Sequence, residues 1–177
     1  MNTRFEVVSR VSAKDLVNDP VIKEAGEILK NGGLVAFPTE TVYGLGGDAL
    51  NPESSRKIYA AKGRPSDNPL IVHIADLKDL PGIVSYIPES ARILADHFWP
   101  GPLTMIFQKS EAVPLETTGG LSTVAVRFPS DEIAQALIKN AGGYIAAPSA
   151  NTSGRPSPTT GRYVLEDMDG RIEMILD

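Results

Sequence analysis

Six short apolar runs punctuate this chain, and helix-like segments stand between several of them. The runs are "LVAF" at 34–37, "PLIVHI" at 69–74, "LTMIF" at 103–107, "TVAVRF" at 123–128, "YIAA" at 144–147 and "IEMIL" at 172–176. Apolar runs of this length suit buried strands, and alternation with helices suits a sheet with helices laid over it. The first helix is predicted over "DPVIKEAGEILKNGG". Asp19 is placed to cap it, Pro20 suits its first turn, and Ile22, Ala25, Ile28 and Leu29 share a face. Gly32 and Gly33 stop it. A second helix opens at Asn51-Pro52. A third spans 130–140, with Ser130 as its cap, acids in its first turn and Lys139 in its last. The expected fold class is α/β, a twisted mixed β-sheet covered by helices. Some strands lie too close in sequence for a crossover helix, which favours a mixed sheet over a parallel one. Strand order is not legible.

At 177 residues and 42% hydrophobic, the chain suits one domain over 1–177 with a real core. The net charge of -5 excludes a global footprint for nucleic acid or membrane, so any anion site must be local. There is no cysteine, which removes disulfides, thiolate zinc and cysteine nucleophiles. With His73 and His97 the only histidines, an imidazole-based metal site is not expected. Residues 1–15 lack the apolar run of a signal sequence and no span reaches membrane length, so a cytoplasmic protein is expected. The "NTS" at Asn151 is then an accidental glycosylation match.

Four loops carry the chemistry. In "FPTETVYGLGGDA", 37–49, a strand halts at Pro38 and hydroxyls follow at Thr39, Thr41 and Tyr43. Gly44, Gly46 and Gly47 then permit close approach of backbone to another surface. The spacing fits neither a Walker loop nor a dinucleotide fingerprint; a turn with capping hydroxyls is the plainer reading. In the second, Arg56, Lys57, Lys62 and Arg64 fall within nine residues with no acid among them. Lys62 and Arg64 flank Gly63, a bend suited to a polyanion: a point charge beside a planar fork. A basic helix end complementing the dipole is the alternative. His73, in the strand that follows, reads more readily as a hydrogen-bonded core residue than as a base.

The third loop leads into the strand 123–128, where period two puts Thr123, Ala125 and Arg127 on one face. An arginine among apolar neighbours calls for an anion partner unless the strand is a wet edge. The fourth, "AAPSANTSGRPSPTTG" at 146–161, leaves a core strand for a polar path that its prolines hold in place. Ser149 and Asn151 alternate there and face one pocket if the segment is extended. Together these loops suggest a concave cationic pocket for a phosphorylated or otherwise anionic small molecule, without a carboxylate pair, triad or metal cluster.

The stretches "PTETVYGLG", "KGRPSDNPLIVHI", "FWPGPLT", "VAVRFP" and "AAPSANTSGRPSPT" resemble, in order and spacing, the YrdC-like domain of the L-threonylcarbamoyladenylate synthases, over about residues 20–175. The resemblance implies a YrdC-like fold and an enzyme, a nucleotidyltransferase joining L-threonine, bicarbonate and ATP into threonylcarbamoyl-AMP with release of pyrophosphate. A partner tRNA threonylcarbamoyl transferase complex would then modify tRNA, and tRNA itself is a candidate contact. The threonine amine and carbon dioxide give a carbamate, whose oxygen attacks the α-phosphorus. Placement and charge neutralisation then suffice without a protein nucleophile.

By the same resemblance, Lys62 and Arg64 are the catalytic cations and hold ATP phosphates with Asn68. Thr123, Ser149, Asn151 and Ser157 complete the ATP side. Thr39, Thr41, His73, Arg127 and the backbone at Ala147 take threonine or its carbamate, Arg127 pairing its carboxylate; His73 is read as an orienting donor, with core packing as the alternative. No protein metal site is implied; Mg²⁺ travels with the nucleotide. Family members continue past the equivalent of Asp177 with the end of the domain, and the longer, two-domain members add a linker and a second domain, so these are expected to be missing here. A non-catalytic RNA-binding module using the same cavity is the alternative from another class, with the acidic charge against it. A carbamoyl-transfer domain of a larger maturation enzyme is a third.

Overall fold

The computed structural model describes residues 2–9 and 11–177; of the stretch 1–15 read as lacking a signal sequence, Met1 and Arg10 lie outside the described residues. In chain order the elements are β1 (Arg4–Glu6), α1 (Ala13–Leu16), α2 (Pro20–Lys30), β2 (Val35–Phe37), β3 (Gly44–Asp48), α3 (Pro52–Lys62) and β4 (Ile71–His73). A 3₁₀ turn at Leu77–Asp79 leads into α4 (Leu80–Ile83). Then come α5 (Glu89–Phe98), β5 (Thr104–Gln108), β6 (Thr123–Arg127), α6 (Glu132–Asn140), β7 (Ile145–Ala146), α7 (Gly161–Met168) and β8 (Met174–Leu176).

The strands form one eight-stranded sheet in the order β1-β8-β2-β3-β7-β4-β6-β5. It is mixed, as expected: β8 runs parallel to β1 and β2, and β4 to β6, while the remaining neighbours are antiparallel. No helix among the described residues is long and apolar enough to cross a membrane.

Helix starts follow their capping chemistry. Asp19 accepts from the amides of Val21 and Ile22, and Asn51 from that of Glu53, each ahead of a proline at the first turn. Such caps contribute about 0.5–2 kcal/mol each. The third start corrects the sequence reading. Asp131, not Ser130, caps α6, its carboxylate accepting from Ile133 and Ala134. A carboxylate at the positive helix end does this at least as well as a hydroxyl.

A second correction concerns 44–48, read as loop but folded as the central strand β3. Its glycines are there for proximity. A Cβ at Gly46 would stand 3.0 Å from both Ile145 and Phe37, and one at Gly47 would stand 3.0 Å from Ile58 of α3.

The two faces of the sheet are covered unequally. One face carries Ala36, Val72, Val124, Val126, Ala146 and Ile175, buried against Ile58 and Tyr59 of α3, Ile83 of α4 and Val164 of α7. The other carries Val35, Phe37, Ile145, Ala147, Met174 and Leu176 under Leu16, Ile22, Leu29, Ile133 and Leu137 of α1, α2 and α6. Each fully buried aliphatic contributes about 1.5–3 kcal/mol.

Those three helices stop short of the β6–β5 end. There the same face presents Thr123, Ala125 and Arg127, which are half-buried, and Ile106, which is 72% exposed. The register puts Ile71 beside Ala125, His73 beside both Arg127 and Ile145, and Thr104 beside Arg127. A stretch of sheet is thus left without a helical cover.

Candidate functional site

At one end of this open stretch stands Arg127, the last residue of β6. Its Nη2 donates to Glu40 Oε1 at 2.7 Å and to Thr41 Oγ1 at 3.1 Å. The other oxygen of Glu40 accepts from the Ser130 amide at 3.2 Å. Thr39 and Thr41 share a hydroxyl hydrogen bond of 3.1 Å, and Thr39 also donates to the Val42 carbonyl at 2.6 Å. The Arg127 and Glu40 side chains are 12% and 20% exposed. Burial alone would raise the Glu40 carboxyl, but hydrogen bonds from Arg127, from its own backbone amide and from the Ser130 amide, with the Arg127 charge, outweigh it and hold it below the usual carboxylate range. Arg127 therefore does meet an anion, one supplied by its own chain. Its Nε is buried without a hydrogen-bond partner among the described residues.

His73 is buried beside Arg127, with the Phe37 ring edge-on at 6.3 Å. Its Nδ1 lies 3.1 Å from the Ile71 carbonyl. A carbonyl only accepts, so Nδ1 carries the proton, and in the neutral ring Nε2 is an acceptor. The expected orienting donor is corrected accordingly: the donor atom is already engaged. Burial, reinforced by the Arg127 charge, pushes the imidazolium down to about 4, so the ring is neutral at physiological pH.

The other end is built on Lys62, the last residue of α3. The helix closes on Gly63, whose φ of 61° is left-handed and favours glycine. Lys62 is 1% exposed. Its ammonium donates to the main-chain carbonyls of Ser149 and, at 2.6 Å, Asn151. Arg64 folds back on its own loop, donating to the Asn68 side chain at 2.8 Å, the Asn68 carbonyl at 3.2 Å and the Pro69 carbonyl at 3.1 Å. The remaining two cations of that cluster are diverted. Arg56 pairs with Glu53 and Glu116, and Lys57 donates to the Gly32 carbonyl.

Asn151 uses its amide nitrogen on the carbonyls of Thr152 and Arg155, while its side-chain oxygen is buried without a partner among the described residues. Ser157 is exposed, in the wall of a cavity of about 380 Å³ that Arg155, Pro158, Tyr163 and Glu166 also line. The Ala147 amide is already bonded to the Ile71 carbonyl, which leaves only its carbonyl for a ligand.

The two ends are joined. Tyr43 donates its amide to the Pro158 carbonyl and accepts from the Ala150 amide, and Leu45 donates to the Pro148 carbonyl. The 38–43 segment therefore touches Arg127 through Glu40 and Thr41, and the 148–158 segment through Tyr43. Thr123 lies at the opposite end of β6 from Arg127, about 13 Å away at strand rise. It is on the side of Pro69 and Arg64, because Ile71 pairs with Ala125. Sequence reading did not single out Glu40 or Asp177, the latter accepting from the Tyr43 hydroxyl and the Gly161 amide. Glu40 meets Arg127 across 87 positions, and no local pattern announces such a pair.

Comparison with known proteins gives the arrangement its context. The Sua5/YciO/YrdC family model, described as "Telomere recombination", matches residues 27–177. A threonylcarbamoyl-AMP synthase of Pyrococcus abyssi is 52% identical over 94% of this chain and 49% of its own length. One from Bacillus subtilis is 54% identical over 90% of this chain and 46% of its own. The chain thus spans about half the length of these relatives. The crystal structure of P. abyssi Sua5 complexed with L-threonine superposes with a TM-score of 0.92 at 51% identity, over 99% of this chain and 50% of that one. Escherichia coli YciO shares the fold, with a TM-score of 0.83 at 21% identity over 98% of this chain and 83% of its own. The family model covers most of the chain and the fold superposes over nearly all of it: this chain belongs to the Sua5/YciO/YrdC family.

Proposed function

We propose that this chain is the YrdC-like catalytic domain of a threonylcarbamoyl-AMP synthase, acting on L-threonine, bicarbonate and ATP. The observation that carries the reading is its likeness over nearly its whole length to a homologue complexed with L-threonine. The two ends of the uncovered sheet divide the work. The threonine carboxylate docks at Arg127, beside Thr39, Thr41, the Nε2 of His73 and the Ala147 carbonyl. The triphosphate lies toward Lys62, Arg64 and Asn68, with Thr123, Ser149, Asn151 and Ser157 on the nucleotide side.

An ammonium has three donors, and main-chain carbonyls take two of those on Lys62. Lys62 thereby fixes the 149–151 segment and offers its remaining donor to a phosphate oxygen. The orphaned Asn151 oxygen is an acceptor suited to a ribose hydroxyl or a base amine. Carbon dioxide, formed when bicarbonate takes up a proton and loses water, adds to the free amine of threonine, which gives up a proton. The resulting carbamate oxygen forms a bond to the α-phosphorus as the bond to pyrophosphate breaks. Fixed positive charge lets the two anions meet, and fixed donors need no reorganisation as charge shifts. Mg²⁺ enters on the phosphates, a habit of that ion; among the described residues no three carboxylate, histidine or cysteine side chains gather into a metal site. The threonylcarbamoyl-AMP then passes, in a cytoplasmic setting, to a tRNA-modifying transferase.

The test is pyrophosphate release from ATP with threonine and bicarbonate each supplied or withheld. Release that requires both supports the reading. ATP turnover indifferent to threonine overturns it, and salt-sensitive tRNA binding without any turnover would favour an RNA-binding module instead.

A further inference from the structure

The Arg127 end has a charge balance unlike that of a simple anion site. Arg127 commits a single nitrogen, Nη2, to both Glu40 and Thr41, and its buried Nε has no partner among the described residues. Glu40 accepts from Arg127 on one oxygen and from the Ser130 amide on the other, and its own backbone amide also donates to the carboxylate. A carboxylate offers about four acceptor positions, so Glu40 keeps spare capacity. Its side chain is 20% exposed, which leaves that capacity within reach of a ligand. His73, the neighbouring titratable group, is neutral at physiological pH. The local charge therefore sums to zero.

A bare carboxylate arriving here meets Arg127's attraction and Glu40's repulsion together. An α-amino acid carries both charges on neighbouring atoms of one carbon. It sits head-to-tail against the pair, with carboxylate toward arginine and ammonium toward glutamate. Resting on the reading that the threonine carboxylate docks at Arg127, we propose that Glu40 is a specificity residue of this end: it receives the α-ammonium of the amino acid and turns away carboxylates that lack one. The contact belongs to the complex that precedes loss of the amine proton.

The test is calorimetric titration of the full chain with L-threonine and with 3-hydroxybutyrate, which is threonine with its ammonium replaced by hydrogen. The wild-type chain is expected to bind threonine at least about tenfold more tightly, the scale of one charge-assisted contact. Equal affinities would overturn the proposal without need of any variant. Glu40→Gln keeps an amide oxygen for Arg127 but loses the negative charge. It is expected to weaken threonine binding about ten- to a hundredfold and to improve hydroxybutyrate binding, so the preference collapses. Equal weakening of both ligands would mark a purely structural role and overturn the proposal, as would no change. Arg127→Ala separates the parent reading. If threonine affinity ignores that substitution, the docking at Arg127 fails and the proposal with it. If threonine depends on Arg127 while Glu40→Gln leaves the preference intact, only the proposal fails.

Discussion

The Lys62 ammonium lies 2.6 Å from the main-chain carbonyl oxygen of Asn151, tying the end of α3 to the segment that leaves β7. Burial, aided by the Arg64 charge and opposed by Asp167, brings its pKa down to about 8. Lys62→Met keeps the bulk and removes the donors. It is expected to lower threonine-dependent pyrophosphate release about ten- to a hundredfold. The melting temperature should also fall, because two carbonyls lose their donor. Steady-state kinetics beside thermal unfolding measures both effects.

The same lysine carries a pH signature. Its proton leaves the folded chain near 8 and the unfolded chain near 10.5. Between those values the unfolded state holds more protons, so this group's contribution to stability rises with pH. Nucleotide affinity moves the other way, since a neutral amine no longer attracts phosphate. Denaturation and ATP titration from about pH 7 to 10 should show the opposed trends in the wild-type chain and lose them in Lys62→Met.

Arg127→Lys keeps a charge but not the planar fork that meets Glu40 and Thr41. The KM for threonine is expected to rise about tenfold, and nearer a hundredfold in Arg127→Ala, where Glu40 loses its counter-ion. An unchanged threonine KM in both variants would remove Arg127 from the site.

His73 should show itself in acid. Its folded value of about 4 lies below its unfolded value of 6.5, so the unfolded chain holds the extra proton across that window. Stability from this group is full above 6.5 and declines as pH falls toward 4, by a total on the order of 3 kcal/mol. Urea unfolding measured across the window should find this decline in the wild-type chain and a flatter profile in His73→Gln. On the proposed reading, the pH profile of pyrophosphate release should show no limb near the usual histidine value that His73→Gln abolishes.

Gly26 is a helix residue without room for a methyl group. A Cβ there would lie 2.7 Å from Asn140 Cβ and 2.8 Å from its carbonyl carbon, where α2 crosses the end of α6. Alanine's helix propensity would favour Gly26→Ala by about 1 kcal/mol. Contact with backbone outweighs that, and a net loss of about 1–3 kcal/mol is expected in chemical denaturation.

What was legible in the sequence followed local chemistry. Asp19-Pro20 and Asn51-Pro52 mark two helix starts. The alternation of β6 separates Val124 and Val126, buried, from Thr123, Ala125 and Arg127, half-buried. Other features escaped, chiefly those that depend on distant partners. The glycines of β3 look like a loop until Phe37, Ile145 and Ile58 crowd them. Helix α5 has an apolar face but begins after Pro88 with no side-chain cap. The assigned cations were read as free to meet a ligand. In the fold Lys62 holds carbonyls, Arg64 holds Asn68 and Arg127 holds Glu40, contacts that span up to 89 positions.

The strand order has a temporal consequence. Among the described strands, β1 is hydrogen-bonded only to β8, which separates it from β2. A nascent chain leaving the ribosome thus carries an unpaired amino-terminal strand until residues 174–176 emerge. Until then β1 and the outer edge of β2 present open backbone to any neighbouring polypeptide. Closure of that edge therefore waits for the last of the described strands, a window in which a chaperone, or a competing strand, can intervene.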